Sequence, residues 1–158
     1  MSKQLRGKYP SGRPSAIEEV FKLIREEQNW NPSAINVSTL KNLAIAPSKE
    51  SLTVQSLKFL GILNEAGAPT EVFQKLRYEF QPTLESQIRQ AYKTVFDQIP
   101  VGRINQESLV KFFVREGYVE DTAEYQGALF AYLCKIAGID LPNAPASFKR
   151  ARFKKPKK

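Results

Sequence analysis

The sequence contains no histidine and a single cysteine, Cys134. The first absence removes serine and cysteine triads that use an imidazole base, imidazole zinc sites and zinc fingers. The second removes any internal disulfide. No run approaches the 18 or so uncharged apolar residues that a membrane span needs, so no membrane partner is expected. The opening residues Met1–Arg6 are basic with no apolar stretch behind them. A secretory signal is therefore not read, and a cytoplasmic protein is expected. Also missing are a glycine-rich phosphate loop and a Cys-x-x-Cys pair. No cofactor, metal ligand or catalytic residue is assigned.

What is present is 158 residues with 42% hydrophobic side chains, enough for a packed core. The formal charge is +8, but it is unevenly placed. Residues 149–158 carry Lys149, Arg150, Arg152, Lys154, Lys155, Lys157 and Lys158 and no acid. Residues 1–13 add Lys3, Arg6, Lys8 and Arg13, again with no acid. Residues 14–148 hold the other thirteen positive residues against all sixteen acids, a net charge of −3. The pattern describes basic arms on a mildly acidic body. Each arm has two readings, a solvated end or a phosphate-binding segment. Runs of like charge with scattered prolines lack the apolar surface to order themselves, so both ends are expected to be disordered.

The body reads as helices. Ser15 followed by Glu18 has the form of a capping box, with Ile17, Val20, Phe21 and Ile24 on one stripe behind it, so a helix is expected over Ser15–Glu27. Trp30 beyond it reads as a core plug, since its neighbours carry no positive charge. A short helix is expected over Ser38–Leu43. A longer one, capped by Ser48, should run to Leu60 and stop at Gly61. Ile62-Leu63-Asn64 reads as extended, 65–69 as a turn, and Thr70 as the cap of a helix over Glu71–Arg77. One helix is expected from Pro82 through Phe96, closed by Pro100. Asn105 should cap Gln106–Glu116, which stops at Gly117. A capping box at Asp121–Glu124 should open the last helix, which ends at Gly138. No internal repeat stands out. Cys134 reads as a small buried hydrophobe. Capping and solvated faces account for the carboxylate groups Glu18/Glu19, Glu26/Glu27 and Glu120/Asp121/Glu124.

The fold class is therefore nearly all-α. Four parts are expected: a basic leader (1–14), a winged helix-turn-helix-like half (15–80), a three-helix unit packed on it (81–141) and a basic tail (142–158). The winged reading rests on the order short helix, turn, longer helix, Leu60-Gly61-Ile62-Leu63 and a glycine turn. On a regular helix Ser48, Ser51, Gln55 and Lys58 share one polar arc, with Leu52, Ser56, Leu57 and Leu60 away from it. Gln and Ser on such an arc can hydrogen-bond base edges in a major groove. Against this, the arc has one cation and the turn carries Glu65. The expectation is a non-enzymatic nucleic-acid binder, DNA before RNA, with Ser48, Ser51, Gln55 and Lys58 as readers and the tail cations on phosphates. The alternative is a protein-interaction module or complex subunit docking through the same surface.

Leu57–Leu63, Gly67-Ala68-Pro69-Thr70, Phe73 and Leu76-Arg77 also resemble the core "LLxxLGFLD…G.PT..F..LR" of a family of bacterial and archaeal domains of unknown function. The likeness continues through Ala91-Tyr92 and the Phe112-Phe113 helix, covering about residues 15–138. It implies a fold, and it brings no catalytic or binding residues.

Overall fold

A computed structural model describes residues 9–144. Eight α-helices and one short 3₁₀ turn carry the described residues: α1 (Pro14–Glu26), α2 (Val37–Asn42), α3 (Glu50–Phe59), α4 (Glu71–Tyr78), α5 (Phe80–Ala91), α6 (Lys93–Gln98), the 3₁₀ turn Val101–Arg103, α7 (Gln106–Arg115) and α8 (Glu120–Ala137). The only sheet-like pairing among them is one antiparallel bridge, Leu63 with Pro69. None of these helices is long and apolar enough to cross a membrane.

The helix ends show where local signals hold and where they yield. Pro14 occupies the first turn of α1, and its fixed φ starts the helix one residue early, with Arg13 as N-cap. Ser15 is therefore an interior residue, and the expected capping box does not form. Val119 precedes α8 in the same way, so Glu120 and Asp121 fill the first turn and no side chain caps it. Acids there complement the helix dipole. Thr70 does cap α4, accepting from the Val72 amide.

The helix expected over 82–96 is two, α5 and α6, broken at Tyr92. The expected three-helix unit thus holds four helices and a 3₁₀ turn. No proline or glycine marks the joint. Its ring is fully buried, 4.8 Å from that of Phe130 and 4.9 Å from that of Phe59. Pro82 lies inside the first turn of α5, where a missing amide donor is tolerated.

One local signature occurs twice. In Ile35-Asn36-Val37-Ser38-Thr39-Leu40, Asn36 Oδ1 accepts from the Thr39 amide at 3.0 Å and Thr39 Oγ1 accepts from the Asn36 amide at 3.2 Å. In Ile104-Asn105-Gln106-Glu107-Ser108-Leu109, Asn105 and Ser108 make the same reciprocal pair at 2.8 and 2.9 Å. Both Ile and both Leu are fully buried. Each short helix leads through a turn to a helix stopped by a left-handed glycine, Gly61 (φ +79°) or Gly138 (φ +80°). The next residue, Ile62 or Ile139, then donates to the carbonyl five back, at 3.0 and 2.9 Å. The chain therefore carries one helix–turn–helix pattern in each half.

A single core runs through both halves, from Ile17 and Phe21 through Leu57, Phe73 and Ile88 to Phe113, Phe130 and Leu133. α8 packs on α7, α5 and α1, and α4 packs on α1 and α5. Arg77 of α4 closes the end of α1. Its Nε donates to the Ile24 carbonyl at 2.7 Å. Nη2 donates to the carbonyls of Glu27 and Trp30, at 3.1 and 3.0 Å. Nη1 donates to Asn31 Oδ1 and Gln74 Oε1. Trp30 lies half-buried, its ring 5.8 Å from that of Phe73.

The segment ahead of α1 is part of this body. The expected flexible leader (1–14) is corrected for residues 9–14, with Pro10 and Gly12 buried. The Tyr9 ring stacks on Tyr92 at 5.9 Å and meets Phe59, Phe112, Phe113 and Tyr118. Aromatic contacts of this kind contribute about 0.5–1.5 kcal/mol each beyond area burial, which offsets the ordering of a short segment. At the other end Asn143 Nδ2 donates to the Gly102 carbonyl, so residues 142–144 also lie on the body.

Three substitutions test this packing. Phe113→Ala and Phe130→Ala should each lower unfolding free energy by about 2–5 kcal/mol in denaturant titrations. Arg77→Lys should cost about 2–4 kcal/mol with the core intact, since an ammonium cannot reproduce a five-donor fork. A loss below half a kcal/mol at Arg77 would show that the clamp is dispensable.

Candidate nucleic-acid interface

α3 is the second helix of the first helix–turn–helix pair, and its burial pattern decides what it can offer. Thr53, Val54, Ser56 and Leu57 are buried, and Leu60 follows them into the core. Ser51 and Gln55 are exposed, and Lys58 is half-buried on the same arc. These three expected readers are thus brought together. Ser48 is not among them. α3 begins at Glu50, two residues later than expected, with Lys49 as N-cap and no side-chain cap. Ser48 sits in the preceding turn with a left-handed backbone (φ +65°), as do Ala44 and Ala46 (φ +58° and +56°). The alternation carries Ile45 into the core while Ala44, Pro47 and Ser48 stay exposed. A left-handed residue cannot continue a right-handed helix, so Ser48 leaves the arc. The seven tail residues Lys149, Arg150, Arg152, Lys154, Lys155, Lys157 and Lys158 lie outside the described residues.

Behind α3 the chain makes a small hairpin. The amides of Ala66 and Ala68 donate to Asn64 Oδ1 at 2.9 and 3.0 Å, and the Asn64 amide donates to the Ala68 carbonyl at 2.9 Å. Gly67, at φ +89°, offers its carbonyl to the Ile35 amide at 2.9 Å. The hairpin is thereby tied to the segment that enters α2. Thr70 ties its other end, Oγ1 donating to the Gly61 carbonyl at 2.6 Å. Glu65 stands exposed in the turn, so the hairpin brings no cation beside α3.

The flank of α3 is occupied by the segment that sequence reasoning left in the leader. Ser56 Oγ donates to the Leu52 carbonyl at 2.9 Å, and Gly12 lies against that pair so closely that an added Cβ would collide with Ser56 Oγ. Tyr9 is pinned on both sides: its amide donates to Tyr118 Oη at 3.1 Å, and Gln126 Nε2 donates to its carbonyl at 2.8 Å. Arg13 lays its guanidinium 3.8 Å over the Tyr125 ring. The signal in the sequence was small, one aromatic followed by proline and glycine among basic residues.

The groups associated with catalysis are placed otherwise. Cys134 is fully buried on α8, and burial pushes its thiol up to about 12. The buried Tyr92 hydroxyl is raised for the same reason. Among the described residues no three Cys, Asp or Glu converge to hold a metal ion. A groove of about 320 Å³ separates α1 from the α2–α3 turn, with Leu23, Leu43 and Ile45 in it and Glu19, Glu26 and Glu27 around it.

A family model described as a family of unknown function, DUF5343, matches residues 9–143. The chain belongs to the DUF5343 family. No curated protein and no solved structure matches it. The DUF5343 match opens at Tyr9, so it takes in residues 9–13, a strap along the flank of α3, as well as the eight helices. The motif residues that carried the resemblance have structural duties here. Gly61 stops α3, Thr70 ties hairpin to α4, Phe73 packs on Trp30, and Arg77 closes α1.

The thiol gives a pH test. Its folded value lies above the ordinary 9.0, so the neutral form is favoured by folding. That contribution is present below pH 9 and lost as pH rises from 9 towards 12, where the unfolded chain sheds the proton first. Wild type should therefore lose stability between pH 8 and pH 10.5 more steeply than Cys134→Ala, read as denaturation midpoints. Identical slopes would mean the thiol is solvated.

Proposed function

We propose that this protein is a non-enzymatic nucleic-acid binder that takes duplex DNA in preference to RNA. The observation that carries the reading is the open arc of Ser51, Gln55 and Lys58 on the second helix of a helix–turn–helix pair. The elements around it follow winged-helix order: α1, the Ile35 segment, α2, α3, the Leu63–Pro69 hairpin. Gln55 has the amide that pairs with adenine N6 and N7, and a hydroxyl such as that of Ser51 can serve any base edge. The cations for phosphate neutralisation come from the ends, since residues 14–148 are net acidic. On this reading the protein works in the cytoplasm, where no disulfide is needed.

A second reading is favoured by one observation. Val37 and Leu43 of the α2 region are exposed at 37% and 38%, and Leu43 lines the groove beside α1. A protein partner could cover them, and the molecule would then be an adaptor or a complex subunit.

A salt titration separates the two. Each phosphate neutralised on duplex DNA contributes about 0.9 to the slope of log K against log salt. Ending the chain at Ser147 removes seven cations. The slope should flatten by about 3 to 5 units with the melting temperature unchanged. An unchanged slope would rule out a phosphate-binding tail and favour the adaptor. A melting temperature that falls with binding would make the tail structural.

A further inference from the structure

α1 and the turn between α2 and α3 face each other across the groove of about 320 Å³. One wall is a single face of α1, since Glu19, Lys22, Leu23 and Glu26 fall at i, i+3, i+4 and i+7. Leu43 and Ile45 form the other. Ile45 is buried, Leu23 is half-buried and Leu43 is exposed, so an apolar floor opens to solvent. Both walls are held in place. Arg77 Nη2 donates to the Glu27 carbonyl at the end of α1. The amides of Leu43 and Ile45 donate to the Leu40 carbonyl at 3.1 and 3.0 Å, and left-handed Ala44 and Ala46 fix the turn on either side of Ile45. A partner entering the groove would not have to order its backbone first.

Charge around the groove runs against that of the whole chain, which is +8. Glu19, Glu26 and Glu27 stand exposed on the rim, and Lys22 is the one cation among the described residues that line it. Arg25, the next cation along α1, is drawn away to lie 4.1 Å over the Phe80 ring. The ion pairs among the described residues lie within α5, α6 and α7, and none takes up the three rim carboxylates. Such a rim disfavours phosphates, and with them nucleic acid and anionic membrane surfaces. No aromatic ring is among the described residues that line the groove, so it is not a cage for a small organic cation. Its volume lies at the small end of the range of ligand pockets, about 300–1,000 Å³, which suits anchoring side chains better than a whole small molecule. The complementary chemistry is an aliphatic side chain with Lys or Arg beside it, as one face of a basic amphipathic helix presents.

We propose that this groove docks a basic amphipathic helix of another protein, its aliphatic side chains on Leu23, Leu43 and Ile45 and its cations against Glu19, Glu26 and Glu27. This rests on the adaptor reading, whose partner it names by chemistry, and not on what α3 contacts.

The test uses the full chain with labelled Ile and Leu methyl groups and two synthetic peptides of about fourteen residues, long enough for nearly four helical turns. Both peptides carry leucine at i, i+3, i+4 and i+7. Around the leucines one carries Lys and Arg, the other Glu. The basic peptide should shift the methyl resonances of Leu23, Leu43 and Ile45 and bind about tenfold more tightly than the acidic one, against the net charge of the chain. Combining Glu19→Gln, Glu26→Gln and Glu27→Gln should weaken it about tenfold and flatten its salt dependence, with an unchanged melting temperature. Leu43→Ser should weaken it about tenfold by removing apolar contact. If neither peptide moves these methyls, the docking groove is overturned, and the adaptor reading is still decided by the salt titration. Equal affinity for the two peptides at these methyls would keep an adaptor and overturn the basic chemistry of its partner. If ending the chain at Ser147 shifts the same methyls with no peptide present, the chain's own tail is the occupant and the separate partner is overturned. A dimer in sedimentation that Leu43→Ser dissociates would overturn it in favour of a second copy.

Discussion

Arg77 holds together three parts of the chain, the end of α1, the loop after it and α4. A helix C-terminus leaves carbonyls without partners, and α1 ends in a loop with no glycine to turn it. The guanidinium supplies five donors in one plane and spends all of them on Ile24, Glu27, Trp30, Asn31 and Gln74. This fixes α1 against α4 and holds Trp30 on Phe73. Because α1 also packs on α8, and α4 on α5, the placement of both halves passes through this residue. Lysine, with one nitrogen, has no equivalent geometry.

The two helix–turn–helix pairs share their caps and their glycine stops, yet their second helices meet different surroundings. α8 is long and central, buried along most of its length by α7, α5 and α1. α3 is short and peripheral. The core takes one side, the strap takes the flank, and what is left is the narrow arc of Ser51, Gln55 and Lys58. An exposed arc survives in the first pair because that helix is not needed to fill the middle of the molecule.

Much of the fold was legible because local chemistry and tertiary packing agree. Asn105, Thr70, Gly61 and Gly138 mark ends that the structure keeps. The stripes through Ile17–Ile24 and Leu109–Phe113 bury as their spacing requires. Failures fall where a distant contact or a proline overrides a local preference. The break at Tyr92 accompanies burial of a ring among residues far away in sequence, which no window of neighbours contains. Pro14 displaced the Ser15 cap. Ser48 was placed on α3 because serine is a good cap, but the turn's three left-handed residues put it outside the helix. The strap was missed because an isolated tyrosine has no periodicity. The Ile-Asn-x-x-Ser/Thr-Leu signature is too short to stand out as a sequence repeat, and it is the closing of both capping boxes that marks it.

The strap also bears on the order in which this chain acquires its structure. Gln126 lies 117 residues beyond Tyr9, and Tyr118 lies 109 beyond it. Contacts of such separation carry a loop-closure entropy that local contacts do not. During synthesis Tyr9 leaves the ribosome long before α7 and α8 exist to receive it. Until then the flank of α3 is bare, and Phe59 and Tyr92 lack the ring that covers them. The strap thus cannot complete its contacts until α7 and α8 have been made, and until then Phe59 lacks the Tyr9 ring beside it.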